Sequence, residues 1–323
     1  MGDAILDVDL LAFEHGDRAA RAAVVDGVLR SLASGFVYTS HDIGEDLIDE
    51  AYGMLAEFFR MPAATKERFV VPGSHGQTGY TGLLVETAAG SDTPDWKEML
   101  NWGRDVPDGH PLKRRFPHRY MDQVLPEEVV PGISAVLNHL HDALADLQRR
   151  FLRIIAVGLG AHEELFGRWL VDGATLTRAI RYPAMAEAPT DGTYVWAGAH
   201  GDINLITALP RASAPGLQVQ TADGWVDAIA PEGHAIINTG MMLEHVSNGI
   251  IPTGIHRVVA APGQPGERYS VVQFCHPTPW TILAPLASCI TPDHPQRFGA
   301  IAASDRLDQV LYEINLVEDA RRV

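Results

Sequence analysis

The sequence predicts a mainly β protein with flanking helices, whose core is a double-stranded β-helix, or jelly roll. Short β-branched runs follow one another after about residue 175, with Gly, Pro, Asn and Asp at short intervals between them. A long apolar stripe at helical spacing begins near Pro131 and ends at Gly158 and Gly160, which predicts a spine helix against the sheet. Shorter helical patterns precede it and predict a helical N-terminal lobe.

The N-terminal half contains short regular elements and then a long irregular segment. Periodicity predicts strands over 4–9 and 35–41 and helices over 17–33 and 46–61. Residues 71–126 are rich in Gly, Pro, Asp and aromatic residues and have little periodicity. Long irregular segments in compact proteins are commonly functional loops, so we expect this one to lie near a site.

The C-terminal half supplies the predicted core. Its β-branched runs are LTRAIRYP, NLITALP, GLQVQT, WVDAIA, HAIINTG, HRVVAAP and YSVVQFCHP, and a helical pattern, ASDRLDQVLYEINLVEDARRV, closes the chain. We therefore expect an N-terminal lobe over 1–125, made of helices, short strands and substrate-side loops. Residues 126–323 would hold the spine helix, a jelly-roll core at about 175–290 and the C-terminal helix.

Composition excludes several classes of protein. The 323 residues carry a net charge of -16, from 41 acids and 25 bases, which disfavours nucleic acid as a partner. No apolar run approaches the roughly 18 residues that span a bilayer, and the first residues are acidic where a secretory signal is basic. We expect a cytoplasmic protein without membrane contact. Two cysteines are too few for a disulfide framework or a thiolate metal site.

One pair of polar residues stands at the start of the apolar run WAGAHGDINLITAL. His200 and Asp202 are two positions apart, and on a strand such residues share a face and can reach one metal ion. An ordinary loop entering a strand would explain the pair equally well. His256, which opens another β-branched run, supplies a third ligand. Two histidines and one carboxylate leave three positions open on an octahedral ion, which suits Fe(II); zinc usually keeps one open position.

A second pair, Arg268 and Ser270, occupies the later run ERYSVVQF. The two side chains share a face of the predicted strand, and a guanidinium with a hydroxyl forms a clamp for a carboxylate. The pair lies 12 residues after His256, so a hairpin could return it to the metal.

These motifs together resemble those of the iron(II)- and 2-oxoglutarate-dependent dioxygenases, in the isopenicillin N synthase-like branch. The resemblance rests on HGD at 200–202, IHRV around His256 and RYS at 268–270, and it extends to RYP at 181–183 and NTGMMLEHVSNG at 238–249. It covers the chain from about residue 3 to 290. The motif set is specific to this superfamily.

The resemblance implies a site and a reaction. Iron would be held by His200, Asp202 and His256, and 2-oxoglutarate by Arg268 and Ser270 with a further hydrogen bond from Tyr182. Such an enzyme uses Fe(II), 2-oxoglutarate and O2 to hydroxylate, desaturate or cyclise a small molecule, and it releases succinate and CO2.

The sequence alone leaves other functions open. Met241 stands where plant-type members often carry an acid. This departure from the plant pattern leaves room for an isopenicillin N synthase-like oxidase or cyclase, which uses no 2-oxoglutarate. In that case Arg268 would hold a carboxylate of the substrate itself. A non-catalytic jelly-roll binding protein and a zinc hydrolase are weaker alternatives.

Four residues are candidates for the wall of a substrate pocket, namely Tyr80, Trp102, Phe274 and His245. The two aromatic residues of the irregular segment could equally be packing anchors, Phe274 could be a plain core residue, and His245 could be a structural histidine. The sequence predicts neither the identity of the substrate nor the oligomeric state.

Overall fold

The longest element is a 26-residue helix, α6 (Ile133–Gly158), and its apolar stripe faces the protein interior. Leu137, Leu144 and Phe151 lie on this stripe and are fully buried. The computed structural model of the protein describes residues 5–87, 93–190, 193–261, 264 and 266–313. The predicted spine helix is therefore present, and the other elements are arranged around it.

The remaining helices are short or of medium length. They are α1 (Leu10–His15), α2 (Arg18–Ser31), α3 (Glu45–Phe59), α4 (Ala63–Lys66), α5 (Pro111–Arg115), α7 (Leu165–Leu170), α8 (Met241–Val246) and α9 (Ala303–Glu313). None of the helices described is both long enough and apolar enough to cross a membrane.

The described strands form three sheets. The strands are β1 (Asp7–Val8), β2 (Phe36–Ser40), β3 (Gly79–Thr81), β4 (Glu98–Gly103), β5 (Leu176–Tyr182), β6 (Ala197–His200), β7 (Ile206–Leu209), β8 (Leu217–Thr221), β9 (Gly224–Asp227), β10 (His234–Thr239), β11 (His256–Val258), β12 (Arg268–Cys275), β13 (Ile282–Leu283) and β14 (Ile301–Ala302). The large sheet has eight strands in the order β1-β2-β10-β7-β12-β5-β4-β3, and the facing sheet has four in the order β6-β11-β8-β9. β13 and β14 form a separate pair.

The two larger sheets enclose one apolar interior, which is the jelly-roll core that the sequence predicts. Ile180 and Ile236 of the large sheet and Val219 and Val258 of the small sheet belong to the same buried cluster. The other face of the large sheet packs against α6. There the Trp102 indole donates a hydrogen bond to the Leu137 carbonyl oxygen at 3.1 Å.

The segment predicted as irregular is partly regular, which corrects one expectation. It contains α5, and its strands β3 and β4 complete one edge of the large sheet, with every residue of β4 paired to β5. Strands β1 and β2, also from the N-terminal half, complete the other edge. The N-terminal half thus contributes four of the eight strands of that sheet.

Candidate active site

The pair His200 and Asp202 lies where β6 ends. His200 is the last residue of the strand, and Asp202 follows in the turn beyond it, so the two do not share one strand as the sequence predicts. His256 faces His200 across the pairing of β11 with β6, and their ring centroids are 4.4 Å apart. One ligand atom from each of the three side chains lies within 4.8 Å of the other two. The structure therefore brings together the three residues that the motif predicts.

In each histidine of this triad, one ring nitrogen is hydrogen-bonded to the backbone and the other is available to a ligand. Nδ1 of His200 lies 2.8 Å from the Gly198 carbonyl oxygen, and Nδ1 of His256 lies 3.1 Å from that of Gly254. Because a carbonyl oxygen only accepts, Nδ1 carries the hydrogen in both rings and Nε2 keeps its lone pair. Burial, together with neighbouring His256, lowers the pKa of His200 to about 4. In both rings Nε2 is thus the nitrogen available to a metal.

The Asp202 carboxylate is oriented by two neutral side chains. Its Oδ2 accepts hydrogen bonds from the Thr207 hydroxyl at 2.5 Å and the Asn238 amide at 2.8 Å. Oδ1 faces His200 Nε2 at 3.9 Å, which is too long for a hydrogen bond. Burial alone would raise the pKa of Asp202, but the two histidines and these two hydrogen bonds outweigh it and lower that pKa. One carboxylate oxygen is therefore fixed and the other is available.

Gly201 makes the close approach of these strands possible. A Cβ atom at this position would lie 2.6 Å from Cγ2 of Thr253 and 3.0 Å from Cδ1 of Ile255. A side chain at Gly201 would therefore force the side chains of Thr253 and Ile255, in the segment just before His256, to move.

The residues that orient Asp202 escaped the sequence analysis. Thr207 lies within β7, and Asn238 is a buried polar residue in an otherwise apolar stretch of β10. An amide inside a buried strand needs a partner, and that is the signal that could have identified Asn238.

We expect the Thr207→Val and Asn238→Leu enzymes to bind Fe(II) about 10- to 100-fold more weakly than the wild type, as is typical when a group that orients a metal ligand is lost. Competition with a chromogenic chelator measures this affinity. Thr221→Val, at the far end of β8, is the matched control and should keep the wild-type affinity. Unchanged binding by both test variants would show that Asp202 needs no orientation.

Arg268 and Ser270 are adjacent on β12, as predicted. Nη1 of Arg268 donates to the Ser270 hydroxyl oxygen at 3.0 Å. Tyr182 stands opposite Arg268 on β5, and the guanidinium lies 5.0 Å from the centroid of its ring. The expected hairpin with β11 is absent from the described pairings, because β12 pairs with β5 and β7 of the large sheet while β11 belongs to the small one.

The guanidinium of Arg268 is a buried cation among neutral partners. The residue is 1% exposed, and Nε donates to the Ala214 carbonyl oxygen at 3.1 Å. Across the described residues no carboxylate lies within ion-pair distance of Arg268. Burial lowers the pKa of Arg268, and the nearby tyrosines oppose that effect. A buried charge of this kind is stabilised when an anion pairs with it.

The Arg268 region and the triad are connected along β8. Arg268 lines a cavity of about 390 Å³ whose wall includes Leu217. Val219, two positions further along the same face, stands opposite His256. Residues two apart on a strand are separated by about 6–7 Å.

A second cavity, of about 250 Å³, opens beside the triad and is referred to below as the triad cavity. Its wall includes His200 and Asp202. The other lining residues are His75, Gln77, Glu86, Thr87, Asp95, Lys97, Leu176, Arg178, Gly201, Ile203, Asn204, Met241, Phe274, His276, Leu307, Val310 and Leu311. The last three belong to α9, so the C-terminal helix forms part of the wall.

Of the four predicted pocket residues, the structure places only Phe274 in this wall, where Arg178 lies 5.4 Å from its ring centroid. Tyr80 and Trp102 are core residues instead. The Tyr80 hydroxyl donates to Glu98 while its ring packs against Phe58, and Trp102 packs against α6. This placement corrects the expectation, because side chains on these faces of the large sheet point away from the triad cavity.

His245 is also placed elsewhere. It lies on α8, its Nε2 is 2.7 Å from the Gly299 carbonyl oxygen, and its ring stacks on Phe298. Burial lowers the pKa of His245. These contacts give it a structural role beneath the C-terminal segment, and we leave it out of the site.

Comparison with known families matches the chain in two parts. Residues 5–127 match the N-terminal region described as that of non-haem dioxygenases in morphine synthesis. Residues 175–277 match the 2OG-Fe(II) oxygenase superfamily, and this range contains all three residues of the triad together with Arg268 and Ser270.

Solved structures share the whole architecture. A Caulobacter crescentus protein assigned to the 2OG-Fe(II) oxygenase family is 33% identical, with 96% of this chain and 99% of that chain aligned and a TM-score of 0.83. A full-length Neurospora crassa protein, solved in complex with 2-oxoglutarate and thymine, is 25% identical over 97% of this chain and 98% of its own, also with a TM-score of 0.83. A homoarginine-6-hydroxylase of Arabidopsis thaliana is 30% identical over 76% of this chain and 68% of its own length.

Proposed function

The chain belongs to the 2OG-Fe(II) oxygenase superfamily, in the isopenicillin N synthase-like branch, and on that basis we propose that His200, Asp202 and His256 hold its iron. The observation that carries this assignment is the cluster of their ligand atoms within 4.8 Å. Two neutral imidazole nitrogens and one carboxylate oxygen form the donor set that suits a non-haem Fe(II) oxygenase. The free Nε2 atoms and the fixed carboxylate fit the ion.

The reaction follows from the family. The protein is a 2-oxoglutarate-dependent dioxygenase that uses Fe(II) and O2. When bound, iron with its co-substrates supplies the oxidation: one oxygen atom of O2 goes to succinate as 2-oxoglutarate loses CO2, and the other oxidises the substrate. The residues of the chain bind and orient the reactants and keep water from them.

Arg268, Ser270 and Tyr182 are our proposed site for the distal carboxylate of 2-oxoglutarate. Support comes from the buried guanidinium, whose protein partners are all neutral, so a carboxylate would supply its missing counter-charge. The path along β8 to His256 would let the keto acid end of the same molecule approach the iron.

The substrate is a small molecule that would occupy the triad cavity, between Phe274 and α9. Its volume of about 250 Å³ suits a compact ligand. The Neurospora crassa structure with thymine supports this class, since thymine is such a molecule.

The experiment that tests the proposed function is an assay of succinate release by anaerobically prepared protein after Fe(II), 2-oxoglutarate and O2 are added. We expect slow succinate release that requires all three and that an active substrate accelerates. O2 consumption without succinate would favour the oxidase or cyclase alternative. Protein that binds zinc and is inert toward 2-oxoglutarate would contradict the proposal.

A further inference from the structure

His276 is a cavity residue to which the proposed function gives no role. It follows β12 directly and lines the triad cavity together with Phe274. Its Nε2 is buried, and none of the residues that the structure describes forms a hydrogen bond with it. His276 also lies outside the cluster of ligand atoms that the triad forms among the described residues, so it is not a fourth metal ligand.

The backbone determines which nitrogen of His276 carries the hydrogen. Nδ1 lies 3.2 Å from the Phe274 carbonyl oxygen, the same contact that His200 and His256 make with the carbonyl two residues before them. A carbonyl oxygen only accepts, so Nδ1 donates and Nε2 presents a lone pair. Burial lowers the pKa of His276 to about 4, so the ring is neutral near neutral pH; Arg119 lowers that pKa further and Asp202 opposes it. The unpartnered atom is therefore an acceptor.

The charged groups of the same cavity, in contrast, are already paired. Lys97 Nζ lies 2.9 Å from Asp95 and 3.1 Å from Glu86, and Arg178 lies 3.5 Å from Glu86. Burial would raise the pKa of Glu86, but Arg178 and Lys97 lower it to about 2. A charged substrate would have to displace one of these pairs, whereas a neutral one would not.

Part of the same wall is apolar. Leu307, Val310 and Leu311 of α9 line the cavity together with Phe274. An apolar body could pack there while a polar group reaches His276.

We propose that the substrate is an uncharged small molecule that donates an N–H or O–H hydrogen bond to Nε2 of His276 and packs its apolar part against Phe274 and α9. This inference rests on the proposed function, because it takes the triad cavity as the substrate site. His276 would select substrates by rejecting molecules that lack a donor, since such a molecule leaves the buried acceptor unpaired.

Matched pairs of compounds test this selection by their effect on succinate release above the rate without compound. The pairs are thymine and its N,N′-dimethyl derivative, indole and N-methylindole, and p-cresol and its methyl ether; homoarginine is the charged compound. We expect at least one donor-bearing compound to accelerate release, with kcat/KM about tenfold or more above that of its methylated partner. His276→Leu should reduce this ratio to near one. His276→Gln, which can place an amide oxygen near the position of Nε2, should restore part of it.

Because both compounds of a pair are assayed with the same protein, the ratio of their kcat/KM values is unaffected by a general loss of active enzyme. His139→Leu, which replaces an exposed histidine of α6, is the control and should keep the wild-type ratio. The inference fails if His276→Leu keeps that ratio, if only homoarginine or the methylated compounds accelerate release, or if no neutral donor does so in a wild type that turns over 2-oxoglutarate. A wild type without any Fe(II)-dependent turnover would instead refute the proposed function.

Discussion

Asp202→Ala and His200→Ala enzymes should lose Fe(II)-dependent succinate release by roughly a thousandfold or more. Each substitution removes one of three ligands, and a bound metal contributes several kcal/mol to lowering the barrier, at about 1.4 kcal/mol for each factor of ten. Asp202→Asn should show a similar loss, although it preserves the shape of the residue, because the carboxylate charge is missing. Succinate release and the iron content of protein loaded under anaerobic conditions measure the effect.

His234→Ala is the matched control for these variants. His234 lies on β10, where its Nδ1 also contacts the carbonyl oxygen two residues earlier, but its Nε2 faces Asp7 at 3.2 Å. It therefore has the same local geometry without a place in the triad. If His200→Ala retained iron and activity, the proposed ligand set would be incorrect.

Arg268→Ala should raise the KM for 2-oxoglutarate by about 100-fold, because truncating one partner of a buried, hydrogen-bonded charge pair costs about 2–5 kcal/mol. The KM of Arg268→Lys should lie between those of the wild type and Arg268→Ala, since an ammonium keeps the charge but loses the forked geometry. Ser270→Ala should raise the KM about tenfold through the loss of one hydrogen bond to the charged carboxylate. Steady-state kinetics with 2-oxoglutarate as the varied reactant give these values.

Ser270→Ala serves as a second test of the same site, because truncating the buried Arg268 could impair folding whereas removing one hydroxyl is a smaller change. If the pair instead held a carboxylate of the substrate, both variants would leave the KM for 2-oxoglutarate unchanged and raise that of the substrate. The two roles of Arg268 that the sequence leaves open are thereby separated.

The sequence predicts the motifs of this protein better than its three-dimensional pairings. His200 and Asp202 are only two residues apart, so local chain geometry alone brings them near each other. The assignment of β11 and β12 to opposite sheets depends on long-range pairing, and no local pattern in HRVV or RYSVVQF encodes it. The orientation of Asp202 by Thr207 and Asn238 depends on such pairing too.

Strand β4 shows why one element escaped prediction altogether. Its sequence, EMLNWG, is wholly buried, yet it includes Glu98 and Asn101. Glu98 is paired with Lys66 at 2.5 Å and with Arg181 at 2.6 Å, so its charge is compensated inside the protein. Those partners come from distant parts of the chain. The local sequence, with its polar residues, is therefore typical of a loop. The role we propose for His276 was hidden for a similar reason, since it depends on a cavity formed by several segments.

The support of the third ligand has a consequence for how this protein folds. Gly254, two residues before His256, packs so closely on Gly35 that a Cβ on Gly35 would lie 2.4 Å from the Gly254 Cα atom. The Thr239 backbone N–H donates to the Gly35 carbonyl oxygen at 3.0 Å, across 204 positions of sequence. Closing a loop of that length is slow compared with forming local structure. We therefore expect the metal centre to take its final shape only after β2, which follows Gly35, has joined β10. Iron binding would then be a late step in folding.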